Sequence, residues 1–134
     1  MPVQRDETLP IRSESDVVVV RQVARAWCTD AGFSLVEQTK MVTAASELAR
    51  NVLVHGGGGS VRLEAITNGA RRGLRMEFVD QGPGIPDVPQ ALRDGFTAGT
   101  GLGLGLGGAK RLVNEFAIES DRGCGTKVVI ARWK

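Results

Sequence analysis

The sequence GTGLGLGLGG, residues 99–108, places six glycines among ten positions, and the apolar, helix-like stretch AKRLVNEFAI follows it directly. Each glycine inside a helix costs roughly 0.5–1 kcal/mol relative to alanine, so this run destabilises any ordinary helix that contains it. Glycine is favoured where a ligand approaches the backbone closely. The run therefore predicts a backbone-lined contact site, followed by a helix that reaches about Phe116.

Three interpretations of the run stay open on these residues alone. Exposed amides at the start of a helix bind anions, because their N–H groups are unsatisfied and the helix dipole favours negative charge. Gly103, Gly105 and Gly108 also fit the dinucleotide motif G-x-G-x-x-G, but that fold needs a strand directly before the motif, and the loop DGFTAGT precedes it here. The third interpretation is a flexible hinge without a ligand.

The chain before the run is predicted to start with a short extended stretch followed by two helices. The extended stretch lies around Leu9 to Ile11, and apolar residues recur at helical spacing from Val17 to Trp27. A second helix opens at Ser34, where Glu37 three residues on completes the pattern of a capping box. It is expected to end at His55, before four glycines that can supply a left-handed cap.

Alternating polar and apolar residues predict the strands. The segments SVRLEAI and LRMEFVD flank the turn-like NGARRG and indicate an antiparallel hairpin over residues 60–80. FAIES and TKVVIARW indicate a closing pair of strands around DRGCG. The predicted fold class is α+β, a two-layer sandwich whose mixed, mostly antiparallel sheet is covered on one face by about three helices. One domain, residues 1–134, accounts for the chain.

Composition excludes several classes of function. The net charge is only +2, and the basic residues are scattered among acids, which disfavours a nucleic-acid partner. We expect no membrane span and no signal peptide, because no sufficiently long apolar stretch is present, so the predicted location is cytoplasmic. Cys28 and Cys124 have neither metal-ligand spacing nor a disulfide-scaffold count, and both are expected to be reduced thiols.

Glu47 and Asn51 lie four residues apart on the second helix, which places their side chains on one face. A carboxylate can accept a proton, and an amide oxygen one turn away can ligate a hard cation such as magnesium that holds phosphate oxygens. The alternative is that these residues, with Arg50, form the solvated side of an amphipathic helix. His55 continues the line, but a histidine in the last turn of a helix is explained by the dipole alone.

Asp80 ends an apolar strand and is followed by QGPGIP. The two glycines let the backbone lie flat against a planar ligand, and a carboxylate at a strand end can accept a hydrogen bond from an exocyclic amine such as that of adenine. The alternative is a tight turn with a capping aspartate.

Four segments in order resemble the sequence boxes of the Bergerat-fold (GHKL) ATPases and kinases: ELARN at 47–51, DQGPGIP at 80–86, GTGLGLG at 99–105 and GT at 125–126. Within that superfamily, SELARN, DQGPGIPD and AKRLVNEFAIES are most similar to the RsbT-type serine/threonine kinases of bacterial stressosome and anti-sigma switch modules. One departure is Gly107, where that pattern has a proline. The resemblance implies the Bergerat ATP-binding fold, with ATP and Mg²⁺ as ligands.

The resemblance also implies roles for single residues. Glu47 would be the general base that acts on a seryl or threonyl hydroxyl, and Asn51 would ligate the magnesium that bridges the ATP phosphates. Asp80 would receive the adenine amino group. The other implied nucleotide-binding residues are Gly82, Gly84, Ile85, Thr100, Gly101, Leu102, Gly103, Leu104, Gly105 and Thr126.

Partners follow from the same resemblance. Such kinases phosphorylate a small STAS-domain antagonist and, when released, bind a downstream partner, commonly a PP2C-type phosphatase. A homodimer is compatible with this pattern. The alternative from a different class is a non-catalytic nucleotide-binding switch, such as an anti-sigma factor or a stoichiometric phosphatase activator.

Overall fold

The computed structural model describes residues 3–84, 105–120, 123 and 125–134. These residues form three helices, α1 (Glu14–Asp30), α2 (Leu35–Val54) and α3 (Gly105–Arg111). They also form five strands, β1 (Val3–Ile11), β2 (Gly59–Asn68), β3 (Arg71–Asp80), β4 (Glu115–Ser120) and β5 (Thr126–Trp133). None of the described helices is both long and apolar enough to cross a membrane.

The strands form one sheet in the order β1-β2-β3-β5-β4, so β3 is central. All four described strand pairs are antiparallel, and the predicted α+β class is confirmed. A dinucleotide-binding βαβ unit requires parallel strands. The antiparallel pairing of the described strands therefore argues against the dinucleotide interpretation of the glycine run.

The core lies between the helices and one face of the sheet. Alternate residues of β2 and β3 point into it, and Phe78 at the centre of the sheet is 1% exposed. The apolar stripe of α2 packs against this face through Met41, Leu48 and Val52. Full burial of side chains of this size contributes roughly 1.5–3 kcal/mol each, so this layer fixes α2 over β2 and β3.

The helix starts follow the sequence prediction. The Ser13 hydroxyl accepts a hydrogen bond from the Asp16 N–H and caps α1. At α2, the Ser34 hydroxyl accepts from the Glu37 N–H at 3.1 Å, and the Glu37 carboxylate accepts from the Ser34 N–H at 2.8 Å. The predicted capping box is confirmed. His55 is the C-cap of α2, as the sequence prediction placed it.

The third helix differs from the prediction at both ends. It begins at Gly105, inside the glycine run, and ends at Arg111 rather than near Phe116. The chain leaves the helix early because Asn114 joins β5: its N–H donates to the Ala131 carbonyl at 3.0 Å and its side-chain oxygen accepts from the Trp133 N–H at 2.7 Å. The predicted Phe116 boundary is therefore wrong, and Phe116 belongs to β4.

The first strand is longer than the short start that the sequence predicts. It begins at Val3 and pairs with β2 as far as Ile11. Polar residues dominate β1, so it lacks the alternation of apolar and polar side chains that predicted the other strands. The Arg62 guanidinium, for example, contacts the Asp6 carboxylate across the strands at 2.5 Å.

The face of the sheet that the three helices leave open carries a line of alternating charges, which we call the charge ladder. Glu64, only 6% exposed, pairs with Arg75, and the Arg62 guanidinium approaches the same carboxylate at 3.8 Å. The other pairs join Arg75 to Glu77 at 3.8 Å and Lys127 to Glu77 at 3.6 Å. The ladder runs across four strands through Asp6, Arg62, Glu64, Arg75, Glu77 and Lys127.

Candidate nucleotide-binding site

Helix α2 holds Glu47 and Asn51 on one face, one turn apart, as predicted. Both side chains are half-buried, at the margin of the apolar stripe that contains Leu48 and Val52. A purely solvated helix face would leave them exposed. Their partial burial instead places an acid and an amide where a ligand can exclude water from them.

The end of α2 links this face to the sheet. The Asn51 carbonyl accepts hydrogen bonds from the N–H groups of His55 at 2.9 Å and Gly56 at 3.2 Å, which closes the helix. The chain then turns through Gly57 and Gly58, whose φ angles of 71° and 111° favour glycine. This turn brings Gly56 against the last residue of β3.

That last residue is Asp80, which lies at the end of the central strand and is 8% exposed. Its Oδ1 atom accepts a hydrogen bond from the Gly82 N–H at 2.9 Å. Its strand neighbours are Gly59 on β2 and Thr126 on β5. The carboxylate is therefore fixed in orientation by the loop that follows it.

Glycines from three segments of the chain surround Asp80, and we call Gly56, Gly59, Gly82 and Gly125 the glycine socket. A Cβ on Gly56 would lie 2.4 Å from both Cβ and Cγ of Asp80, and one on Gly125 would lie 2.4 Å from the Asp80 carbonyl oxygen. A Cβ on Gly59 would lie 3.0 Å from the Asp80 Cα, and one on Gly82 2.6 Å from the Gly56 Cα. Any side chain in the socket would thus displace the aspartate or the loops around it.

Two hydroxyl groups lie beside the socket. Ser120 at the end of β4 donates to the Gly125 carbonyl at 3.0 Å, and its oxygen is 2.8 Å from the Thr126 hydroxyl oxygen. Ser120 has one hydroxyl proton, so the Thr126 hydroxyl donates the second bond. The Thr126 oxygen then has lone pairs with which to accept a hydrogen bond from a ligand.

The structure brings together Asp80, Gly82 and Thr126, and it connects Asn51 to them through Gly56. Gly84, with a φ of 77°, continues the loop after Asp80. Gly105 begins α3, which packs against α2. The remaining predicted nucleotide-binding residues lie outside the described part of the chain: Ile85, Thr100, Gly101, Leu102, Gly103 and Leu104.

Sequence reasoning missed three residues around Asp80. Gly56 and Gly59 belong to the run that was interpreted only as a helix cap, although one left-handed glycine is enough for a cap. The excess of glycines in that run was the available indication of close packing. Ser120 had no comparable indication, because its contact with Thr126 depends on the β4–β5 register.

The chemistry of the Asn51 amide fits magnesium. Among the described residues, no group of three or more His, Cys, Asp or Glu side chains could hold a metal ion. Magnesium, however, usually takes one or two protein oxygens and completes its shell with water and substrate phosphates. The side-chain oxygen of Asn51 is therefore sufficient as the protein ligand in that kind of site.

Residues 10–133 match the family described as the Histidine kinase-like ATPase domain. The chain belongs to this family. Among its relatives in the histidine kinase-like ATPase family is the Serine/threonine-protein kinase RsbT of Bacillus subtilis, 42% identical over 123 residues that cover 92% of both chains. The Anti-sigma F factor of Clostridium beijerinckii is 32% identical over 67% of this chain and 66% of its own length. The predicted family and its kinase class are confirmed.

Two solved structures share this fold. The RsbU and RsbW domains of a Mycobacterium tuberculosis protein align with 98% of this chain at a TM-score of 0.66 and 20% identity. This chain spans 33% of that longer protein. The histidine kinase domain of the blue-light activated kinase from Erythrobacter litoralis aligns with 87% of this chain and 59% of its own, at a TM-score of 0.53 and 20% identity.

Proposed function

We propose that this chain is an ATP-dependent serine/threonine-protein kinase of a bacterial partner-switching module. One observation carries the proposal: Gly56 follows directly on His55, the C-cap of the helix α2 that holds Glu47 and Asn51, and it packs against the Asp80 side chain. A nucleotide bound beside Asp80 therefore lies next to the helix that carries the acid and the amide. The similarity to RsbT supports the same reaction.

Asp80 is proposed to bind the adenine end of ATP. Its carboxylate is held by the Gly82 N–H and is an acceptor for the adenine amino group. Gly82 and Gly84 lie in the loop after Asp80. They are proposed to contact the base together with Ile85, and Thr126 is proposed to supply a hydroxyl oxygen. Close glycine backbone and the hydrogen bond from the Gly82 N–H orient the carboxylate for this contact.

Glu47 is proposed to act at the phosphate end. Its carboxylate takes the proton from the seryl or threonyl hydroxyl, the hydroxyl oxygen bonds to the γ-phosphorus, and the bond from that phosphorus to the ADP oxygen breaks. Asn51 would hold Mg²⁺, which neutralises phosphate charge when bound. Residues 100–105 are proposed to present backbone amides to the phosphates.

The proposed protein substrate is a STAS-domain antagonist, and the proposed released partner is a PP2C-type phosphatase or another effector. The anti-sigma relatives support a role in partner switching. We propose a cytoplasmic location, which agrees with ATP as the phosphate donor. We also propose that residues 1–134 act as one domain and that two copies of the chain can form a homodimer.

The anti-sigma F relatives also favour a second candidate. In that case the chain is a switch that binds nucleotide and a protein partner without transferring phosphate. The two candidates differ in the need for Glu47, because a general base matters only when a proton is removed from the acceptor hydroxyl.

A comparison of Glu47→Gln with Glu7→Gln separates the two. Glu7 is an exposed acid of β1, so its neutralisation controls for the change in net charge. Transfer of ³²P from ATP to STAS-domain proteins encoded beside this chain is expected to fall by about 10²-fold or more in Glu47→Gln alone, with ATP affinity near that of the wild type. Equal transfer by both variants would exclude catalysis by Glu47.

A further inference from the structure

Both tryptophans lie at the end of the sheet that is farthest from Asp80. Trp133 ends β5, and Trp27 on α1 faces the same end of β2. Arg72 near the start of β3 is eight residues from Asp80, which corresponds to roughly 26 Å along a strand. We call this surface the tryptophan pole, and it consists of Arg5, Trp27, Arg71, Arg72, Trp133 and Lys134.

An arginine covers each tryptophan ring. The Arg5 guanidinium carbon lies 3.9 Å from the Trp27 ring centroid, and that of Arg71 lies 5.4 Å from the Trp133 centroid. A guanidinium held over a ring loses part of its side-chain freedom, which preorganises it for pairing with a carboxylate. The Arg5 edge already contacts Asp30 at 3.1 Å. Arg71 has no such contact among the ion pairs of the described residues.

A cleft of about 250 Å³ opens beside these arginines. Its wall is part apolar, from Trp27, Ala65 and Ile66, and part basic, from Arg72. Successive residues of a strand point to opposite faces, so Arg71 lies over Trp133 on the open face while Arg72 borders the cleft. The two arginines therefore stand on either side of the sheet end, with space for an apolar side chain next to Arg72.

The pole carries an excess of positive charge. Arg71, Arg72 and Lys134 are exposed, and no ion pair among the described residues neutralises them. Two acids of the described chain lie at this end: Asp30 pairs with Arg5, and Glu115 accepts a hydrogen bond from the Trp133 indole N–H at 2.8 Å and keeps its charge. The four basic side chains of the pole outnumber these two carboxylates. The charge pattern is complementary to an acidic ligand.

We propose that the tryptophan pole binds a short acidic segment of a partner protein. Carboxylates of that segment pair with Arg71 and Arg72, and one apolar side chain enters the cleft. Single-stranded nucleic acid fits less well, because base stacking needs free aromatic faces and guanidinium groups cover both rings here. The distance from Asp80 allows such a partner to bind together with nucleotide, so this surface does not depend on the proposed kinase activity.

Intrinsic fluorescence is a local probe of the proposed surface. The chain has two tryptophans and no tyrosine, and both tryptophans lie at the pole. The ligand probe is a fluorescein-labelled peptide of about ten residues in which glutamates flank one leucine. We expect saturable binding by anisotropy and, with unlabelled peptide, a matching change in tryptophan emission that weakens with added salt.

The deciding variant is Arg71→Glu/Arg72→Glu, compared with Arg12→Glu/Arg21→Glu, which changes net charge equally at exposed arginines away from the pole. Peptide affinity is expected to fall by at least about tenfold in the first variant alone. Circular dichroism and ATP titration establish that both variants fold. Equal loss in both variants, no saturable binding, or tighter binding of an oligo-dT strand of equal charge would overturn the proposal.

Discussion

Asp80 keeps its place because four neighbouring positions have no side chain. The contact at Gly56 is the most informative, since a Cβ there would lie 2.7 Å from the Asp80 Oδ2 atom as well as against its Cβ and Cγ. These are distances that real Cβ atoms do not tolerate, so either the aspartate or the end of α2 must move. Gly56 therefore controls a carboxylate that is distant from it in the sequence.

Gly56→Ala is expected to reduce ATP affinity by at least about tenfold, because the displaced carboxylate loses its hydrogen bond to the base. The control is Gly57→Ala, where the φ of 71° is unfavourable for alanine but nothing lies within 4 Å of the added Cβ, so this variant carries backbone strain without a contact to Asp80. Titration calorimetry with ATP and GTP measures affinity and base selectivity. Unchanged ATP affinity and selectivity in Gly56→Ala would contradict the role of the socket.

Cys28 is expected to be chemically inert in the folded protein. Burial raises the pKa of its thiol to about 12. The thiolate is the reactive form, and it is nearly absent at pH 8. In a Cys124→Ser background, which leaves Cys28 as the remaining thiol, a thiol reagent should react slowly until the protein is unfolded. Rapid reaction under native conditions would contradict this burial.

At the scale of single elements, the capping box of α2 determines where the helix starts. Ser34→Ala is expected to lower the free energy of unfolding by roughly 0.5–2 kcal/mol, because it removes the bond to the Glu37 N–H. Thr39→Ala, an exposed change in the same helix, is the control. Urea denaturation measures both, and equal effects would contradict the capping contribution.

The box also predicts a pH dependence. The bonds from Ser34, first from its backbone N–H, lower the pKa of the Glu37 carboxyl below its ordinary value of 4.5. The charged form therefore stabilises the fold above that value, and this stabilisation is lost as the pH falls through the lowered pKa. Wild type is expected to exceed Glu37→Gln in stability at pH 7, and the difference should shrink toward pH 3. If the stability difference between wild type and Glu37→Gln persisted unchanged at pH 3, the charge of Glu37 would not be its cause.

Boundaries that depend on neighbouring residues in the sequence could be predicted, whereas boundaries that depend on tertiary contacts could not. The start of α2 depends on residues three apart, so the sequence alone predicted it. The end of α3 depends on Asn114 bonding to β5, and nothing within the helix encodes that contact. In the same way, Glu47, Asn51 and Asp80 were found from local patterns. The glycine socket draws on segments more than sixty residues apart along the printed sequence, from Gly56 to Gly125, and was missed.

At the scale of the whole molecule, the charge ladder makes the face of the sheet opposite the helices polar, so that this face can be exposed to solvent. Its least exposed member is Glu64, which is held by Arg75. Arg75→Met is expected to cost roughly 1–3 kcal/mol of unfolding free energy, because the buried carboxylate loses its nearest cation. The control is the more exposed pair of Lys127 and Glu77. Lys127→Met should lower the free energy of unfolding by less than about 1 kcal/mol.

Adding Glu64→Gln to Arg75→Met should restore part of the lost stability, since the uncompensated charge is then gone. Thermal and urea unfolding of the single and double variants form the required cycle. Purely additive effects would show that the two side chains do not act as a pair.

The order of strands in the sheet also constrains how the chain assembles during synthesis. β4 is made before β5, yet its one pairing partner in the described sheet is β5, which lies between it and β3. When β4 leaves the ribosome it has no strand to join, and it must wait until the residues after it emerge. The β1–β3 meander with its two long helices can form during translation, whereas the edge that holds Ser120 and the Gly125–Thr126 corner closes last. A nascent chain arrested before β5 would thus expose β4 as an unpaired strand, and unpaired strand edges promote aggregation.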